Sequence, residues 1–281
     1  MKKEKTILIT GCSSGIGLDA ALTLKNRGWD VFATCRKVED CMMLRKQGLK
    51  SFVLDLSNTK SIREALELVK HEANGKLDAV FNNGAFAIPG AIEDLPLAAL
   101  REIFEVNFFG QVDVIKQCIP IMRSNNGGKI INCSSVLGFT GLPFRGAYVA
   151  TKFALEGITD VLRRENIDPR IQFILIEPGP IKTKIRQNSQ KHYEKWIKKK
   201  TSPFYNIYVS DLERRLYDDK SSDFFELEPS AVTKKLIKIL ETKNPRPRYY
   251  VTTPTYVASM INRIFSTKLQ DLLLKYRKQS D

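Results

Sequence analysis

Tyr148 and Lys152 lie four residues apart in a stretch of helical spacing, which sets a phenol and an ammonium one turn apart on the same face. A tyrosine near its ordinary pKa of about 10 is a poor acid at neutral pH, but a neighbouring cation stabilises phenolate and lowers that value. Ser135, thirteen residues upstream of Tyr148, offers a hydroxyl able to hydrogen-bond the same carbonyl oxygen. Such a set can pass a proton to or from an oxygen. Taken alone, a Tyr and a Lys at this spacing are usually a solvated pair, so the reading depends on what else accompanies them.

A second segment, Thr10-Gly11-Cys12-Ser13-Ser14-Gly15-Ile16-Gly17, follows a short apolar run from Thr6 and opens a helical pattern through Leu18, Ala21, Leu22 and Leu24. Strand, glycine loop and helix in that order form the setting of a dinucleotide-binding loop. Glycines admit phosphate close to the backbone, and the helix amino terminus offers unpaired N–H groups and partial positive charge.

Both segments need elements to hold them. Apolar runs at Val31–Cys35, Leu49–Leu56, Ala79–Phe81, Lys129–Cys133 and Ile171–Ile176 predict further strands. Helical patterns lie between them: Ile62 to Val69, one through Phe104 and Val112 ending near Pro120, and Ala147 to Leu162. This alternation predicts an α/β fold, a doubly wound parallel sheet with helices on both faces. Ligands of such sheets collect at the carboxyl ends of the strands, and every unusual segment here follows a strand. No internal repeat or low-complexity linker appears, so residues 1–281 read as one domain.

The 281 residues are 43% hydrophobic and 27% charged, an ordinary globular balance. No run of about 18 apolar residues exists to span a membrane, and the start, Met1-Lys2-Lys3-Glu4-Lys5, lacks the apolar stretch of a secretory signal. The five cysteines (12, 35, 41, 118 and 133) are scattered without a Cys-x-x-Cys pair, which predicts a reduced, cytoplasmic protein. His71 and His192 are the only histidines, so neither a metal site nor a Ser-His-Asp triad is expected.

Taken together, residues 6–183 resemble the short-chain dehydrogenase/reductase family. Its glycine motif matches Thr10, Gly11, Gly15 and Gly17, its Asp after the third strand matches Asp55, and its Asn-Asn-Ala-Gly segment appears as Asn82-Asn83-Gly84-Ala85 with the last two residues exchanged. That exchange moves the residue free to adopt positive φ by one position. Asn107, Ser135, Tyr148 and Lys152 match its catalytic tetrad, and Pro178, Gly179, Ile181 and Thr183 match its segment after the sixth strand. The resemblance implies a Rossmann-like fold and hydride exchange with a nicotinamide cofactor. Tyr148 would be the general acid and Ser135 the donor to the developing oxyanion. Lys152 would lower the Tyr148 pKa and hold the nicotinamide ribose, and Asn107 would anchor a water that links Lys152 to solvent. The cofactor would lie along Gly11, Ser13, Ser14, Gly15, Ile16, Gly17, Asp55, Leu56, Asn83, Gly84, Tyr148, Lys152, Pro178, Gly179, Ile181 and Thr183. At the end of the second strand, where NAD enzymes place an acid, this chain has Arg36 and Lys37, which suit a 2′-phosphate. NADP(H) is therefore the expected cofactor. A non-catalytic dinucleotide sensor is the rival reading, although a sensor needs no proton relay.

Residues 184–281 hold 21 basic against 11 acidic side chains, most of the chain's net charge of +14. Residues 184–228, with Trp196, Phe204, Tyr205, Tyr208, Phe224 and Phe225, are where family members carry a substrate-covering lid. Residues 229–281 form a carboxyl-terminal extension: a helix from Pro229 through Leu240, a strand at Arg248–Val251, and an amphipathic helix from Thr255 to about Tyr276 with Lys268, Lys275, Arg277 and Lys278 near its polar side. That last helix fits three roles: packing on its own domain or on a second subunit, covering the substrate entrance, or lying on an anionic membrane surface. The last role carries a second rival, a membrane-surface binding protein. No nucleic-acid-binding fold accompanies the charge. The expected partners are a small, apolar carbonyl or alcohol substrate and, by resemblance, further copies of the chain in a dimer or tetramer.

Overall fold

The computed structural model describes residues 5–218 and 224–274. Seven parallel strands form its sheet: β1 (Thr6–Thr10), β2 (Asp30–Cys35), β3 (Lys50–Val53), β4 (Ala79–Asn82), β5 (Gly128–Cys133), β6 (Ile171–Glu177) and β7 (Arg248–Tyr250). Their spatial order is β3-β2-β1-β4-β5-β6-β7. The order reverses between β1 and β4, and the crevice above that reversal is where doubly wound sheets bind ligands.

Helices cover both faces because alternate residues of each strand point to opposite sides. Ile7 and Ile9 of β1 pack with α1 (Gly15–Asn26), α2 (Val38–Lys46) and α10 (Ser230–Glu241) on one face. Leu8 packs with α3 (Thr59–Glu72) and α5 (Gly110–Ser124) on the other. A third apolar cluster lies beyond the carboxyl ends of the strands. There Ile88, Ile103 of α4 (Leu97–Phe104) and Ala147 of α6 (Gly146–Glu165) meet Tyr193 of α7 (Ile185–Trp196) and Tyr208. Tyr208 opens a π-helical turn between two short helices, α8 (Tyr205–Ile207) and α9 (Arg214–Tyr217).

Two expectations are corrected. The helix predicted to stop near Pro120 continues to Ser124. Proline removes one hydrogen bond there, but Ile115, Cys118 and Met122 keep that face buried on the sheet, and their packing outweighs the lost bond. Its amino-terminal side is interrupted instead by a π-helical turn at Glu105–Phe109. The amphipathic pattern from Thr255 is two helices, α11 (Thr253–Ile264) and α12 (Thr267–Leu274), because Phe265 adopts extended backbone. Lys275, Tyr276, Arg277 and Lys278 lie outside the described residues.

The carboxyl-terminal third is fastened to the sheet. The Lys129 ammonium of β5 donates to the carbonyls of Ile239, Leu240 and Thr242 at 2.8, 3.0 and 2.7 Å, closing the carboxyl end of α10. Asn262 of α11 donates to the carbonyl of Phe139 and to Thr140, which seats α11 beside the turn that follows Ser135. Leu272 and Leu273 of α12 are exposed. All five cysteines are free and buried. Among the described residues no helix is long and apolar enough to cross a membrane.

Candidate active site

The loop after β1 is shaped by what its glycines leave out. Gly11 and Gly15 have positive φ, 72° and 58°. A Cβ on Gly11 would come within 2.7 Å of Gly84 Cα, and one on Gly17 within 2.3 Å of the Gly11 carbonyl oxygen. Gly15 is in contact with the Thr183 side chain, 3.0 Å from where its own Cβ would stand. Ser14 caps α1 without a side-chain hydrogen bond, so the first-turn N–H groups face outward as an anion site. A dinucleotide pyrophosphate fits this cradle, with Ser13 exposed and Ile16 half-buried on its rim. Gly17→Ala forces the Gly11 carbonyl aside, and we expect it to weaken nicotinamide dinucleotide binding by roughly 5- to 150-fold, the range of a 1–3 kcal/mol overpacking penalty. Fluorescence titration of the cofactor checks this.

Asn83 and Gly84 lock the loop from the β4 side. Their backbone N–H groups both donate to Thr10 Oγ1, at 2.9 and 3.0 Å, and the Asn83 amide donates to the carbonyls of Thr10 and Gly11. The Asn83 side chain therefore braces the glycine loop. The exchanged glycine involves no positive φ; its role is close approach, since a Cβ there would stand 2.9 Å from Leu56 Cδ1 and 3.5 Å from the Gly11 nitrogen. Asp55 Oδ1 accepts from the Ser57 N–H and hydroxyl at 2.9 and 2.7 Å, leaving its second oxygen for a ligand.

Arg36 and Lys37 are exposed at the end of β2. Helix α7 brings a third cation to them: Lys191 has its pKa pulled down by partial burial and by the positive charge of Arg36 and Lys37. No motif or spacing marked Lys191 in the sequence. After β6, Pro178 accepts a hydrogen bond from Val136 N–H at 2.8 Å, and Gly179 abuts Thr252 at the start of α11. Ile181 bridges to Leu227.

Asn107, Ser135, Tyr148 and Lys152 come together at the carboxyl ends of β4 and β5. Asn107 sits in the π-helical turn, fully buried. Its Oδ1 accepts from Phe86 N–H at 3.0 Å, and its Nδ2 donates to the Phe86 carbonyl at 2.8 Å and to Thr151 Oγ1 at 3.3 Å. The amide is thus spent on clamping Phe86 and α6. Ser135 Oγ accepts from Leu137 N–H at 3.1 Å and faces the Tyr148 phenol, an interaction that favours phenolate. Lys152 is buried; its Nζ donates to the Cys133 carbonyl at 2.7 Å and lies 5.5 Å from the Tyr148 ring centroid.

The expected effect of Lys152 on Tyr148 is corrected here. Desolvation pushes the Tyr148 phenol above its ordinary value, with Cys133 adding to the rise and Ser135 opposing it. Desolvation also pulls the Lys152 ammonium down, opposed by Cys133 and Glu156. The ammonium is bonded to a carbonyl beside the ring, so burial outweighs it.

Sequence reading missed a buried polar chain behind these residues. The Asn82 amide donates to Asn132 Oδ1 at 3.0 Å, and the Asn132 amide donates to Thr159 Oγ1 at 2.9 Å, tying β4 and β5 to α6. In front of Tyr148, Phe86 stacks on His192 with ring centroids 4.2 Å apart, and Phe144, Phe204, Tyr193 and Tyr208 join the same apolar cluster as Tyr148. Phe224 and Phe225 are exposed, at 95% and 50%, and do not belong to it.

The family model described as short chain dehydrogenase matches residues 5–194. The chain is 33% identical to the uncharacterized oxidoreductase YbbO of Escherichia coli (strain K12), across 97% of this chain and 94% of that protein. It is 31% identical to retinol dehydrogenase 8 of Bos taurus, over 89% and 82% of the two chains. Its fold superposes on a short-chain dehydrogenase from Streptomyces avermitilis with a TM-score of 0.78 at 22% identity, covering 97% of this chain and 96% of that one.

Proposed function

The chain belongs to the short-chain dehydrogenase family, and on that premise we propose that it is an NADP(H)-dependent oxidoreductase that interconverts a carbonyl and an alcohol on a fairly apolar molecule. The observation that carries this reading is the meeting of Ser135, Tyr148 and Lys152 at the carboxyl end of β5, beside the cleft where Gly15 touches Thr183. A bound nicotinamide dinucleotide supplies or accepts the hydride.

The chain's own residues handle the oxygen. In reduction Tyr148 is the general acid: its neutral phenol donates to the carbonyl oxygen and transfers its proton as negative charge grows there. The burial that raises its pKa keeps that proton in place until then. Ser135 donates a second hydrogen bond to the same oxygen. Lys152, held by the Cys133 carbonyl, steadies the phenolate left behind and faces the ribose hydroxyls. Arg36, Lys37 and Lys191 receive a 2′-phosphate. Thr183 contacts the carboxamide end, and Asp55 and Leu56 the adenine end.

The aromatic cluster in front of Tyr148 favours an apolar substrate, and kinship with a retinol dehydrogenase supports the same class. The exposed Phe109, at the end of the π-helical turn before α5, and Phe153 of α6 support self-association, and five free thiols suit the reducing cytoplasm. An NADPH-oxidation screen over ketones and aldehydes of rising size tests the reading. Turnover should favour the larger, apolar members, whereas no consumption with any of them would shift the assignment to a dinucleotide sensor.

A further inference from the structure

Helix α6 continues its ionisable stripe past the Tyr148–Lys152 pair. Glu156 and Asp160 follow at four-residue steps, so all four side chains share one face. Lys152, Glu156 and Glu177 are buried, at 1%, 8% and 0% exposure. Glu177, the last residue of β6, turns its carboxyl group toward Glu156. One guanidinium serves both: Arg248 of β7 lies 3.1 Å from Glu156 Oε2 and 3.2 Å from Glu177 Oε1, and it reaches Asp160 Oδ1 at 2.8 Å. Asp160 also pairs with Arg163 at the outer end. At the inner end Glu156 faces the Ser134 hydroxyl, next to Ser135. Glu156 Oε1 and both carboxyl oxygens of Glu177 are buried without a hydrogen-bond partner of their own.

Two ionised carboxylates cannot share such a site with a single guanidinium at tolerable cost. One proton retained between them resolves the mismatch and supplies a donor for the orphaned oxygens. Burial and then the Glu156 charge push Glu177 far above the carboxylate range, which makes it the group that keeps the proton. Retaining it leaves Glu156, Glu177 and Arg248 neutral as a set. The groups facing Glu177 are then Glu156 of α6 and Arg248 of β7, with Asp160 reached through Arg248 and with Lys152 and Cys133 one step further in.

We propose that Glu156 and Glu177, sharing one proton beneath Arg248, are positioning residues that keep Lys152 charged and so set the pH range over which Tyr148 can work. The inference rests on the oxidoreductase reading for its consequence, but not for its test. Glu156 supplies the negative charge that opposes desolvation at Lys152. When the pair loses its proton at alkaline pH, a second negative charge appears, and Lys152 holds its own proton over a wider range.

The experiment is a pH titration of the full chain carrying ¹³Cε-labelled lysine, with the Lys152 resonance assigned through Lys152→Arg. No substrate is needed, so a negative result is distinct from failure to find turnover. Glu156→Gln should lower the Lys152 midpoint by about one unit or more, as expected for a buried charge lost nearby. Glu177→Gln, nearly isosteric with the protonated acid, should also lower it, by less, and stands alone if Glu156→Gln does not fold. Infrared difference spectra of wild type against Glu177→Gln at pH 7 should show a protonated-carboxyl band that the variant lacks. Where turnover is measured, the alkaline limb of kcat should move down with the Lys152 midpoint, a shift that a merely structural role does not produce. An unmoved midpoint in folded Glu177→Gln, or the absence of the infrared band, overturns the proposal.

Discussion

Tyr148→Phe is expected to lower kcat by about 10³-fold, within the range for losing a general acid, while the dissociation constant for NADPH changes less than about threefold. The two effects separate because the hydroxyl and the ring do different work. The ring packs against the third apolar cluster, and phenylalanine keeps that packing, so the fold and the thermal midpoint should hold. On the proposed reading the cofactor is held chiefly by the glycine loop, Arg36 and Thr183, and the substitution removes only one hydroxyl from its surroundings. What disappears is the one proton donor placed with Ser135 at the substrate oxygen. Ser135 cannot replace it, since an aliphatic hydroxyl is a far weaker acid than a phenol. Steady-state kinetics and a fluorescence titration on the same preparation separate the terms. A variant turning over at a wild-type rate would remove Tyr148 from the mechanism.

The second large effect concerns cofactor choice. Arg36→Asp is expected to cut kcat/KM for NADPH by about 10²-fold or more and to leave or improve that for NADH, reversing the preference. A guanidinium–phosphate contact is a charge-assisted pair of about 1.5–3 kcal/mol, and a carboxylate there adds repulsion to the loss. The same carboxylate can accept hydrogen bonds from free ribose hydroxyls. Lys191→Ala should act in the same direction more weakly, because its ammonium reaches the cluster from α7 rather than from the strand end. Retained preference for NADPH in Arg36→Asp would show that the 2′-phosphate is read elsewhere.

The fold was legible because its signals are local and repeated. Each central strand is buried on both faces and reads as an apolar run, and each loop at the carboxyl end begins with residues that a buried strand would not hold. The glycine loop was legible for the same reason: Gly11 and Gly17 are places where a Cβ meets backbone. Other features left no local trace. Pro120 reads as a stop, and only the burial of Ile115, Cys118 and Met122 around it explains why the helix persists. The sign of the Tyr148 shift depends on how deeply the site is covered, which spacing does not carry. Glu177 and Arg248 are 71 positions apart, and their meeting over Glu156 follows from β6 and β7 being neighbours.

Lys129 has a consequence for the order in which the molecule is completed. Its ammonium, half-buried and destabilised by that burial, finds its three carbonyl acceptors at residues 239–242, more than a hundred positions later in the chain. Until α10 docks, the Lys129 ammonium stays with water and the sheet face that α10 covers, with Val232, Leu236 and Ile239, stays open. A chain ending before Ser230 would leave that apolar face, including the α1 residues Ala20, Ala21 and Leu24, without the cover that α10 supplies. The helix behind the glycine loop thus owes part of its apolar cover to residues more than two hundred positions later in the chain.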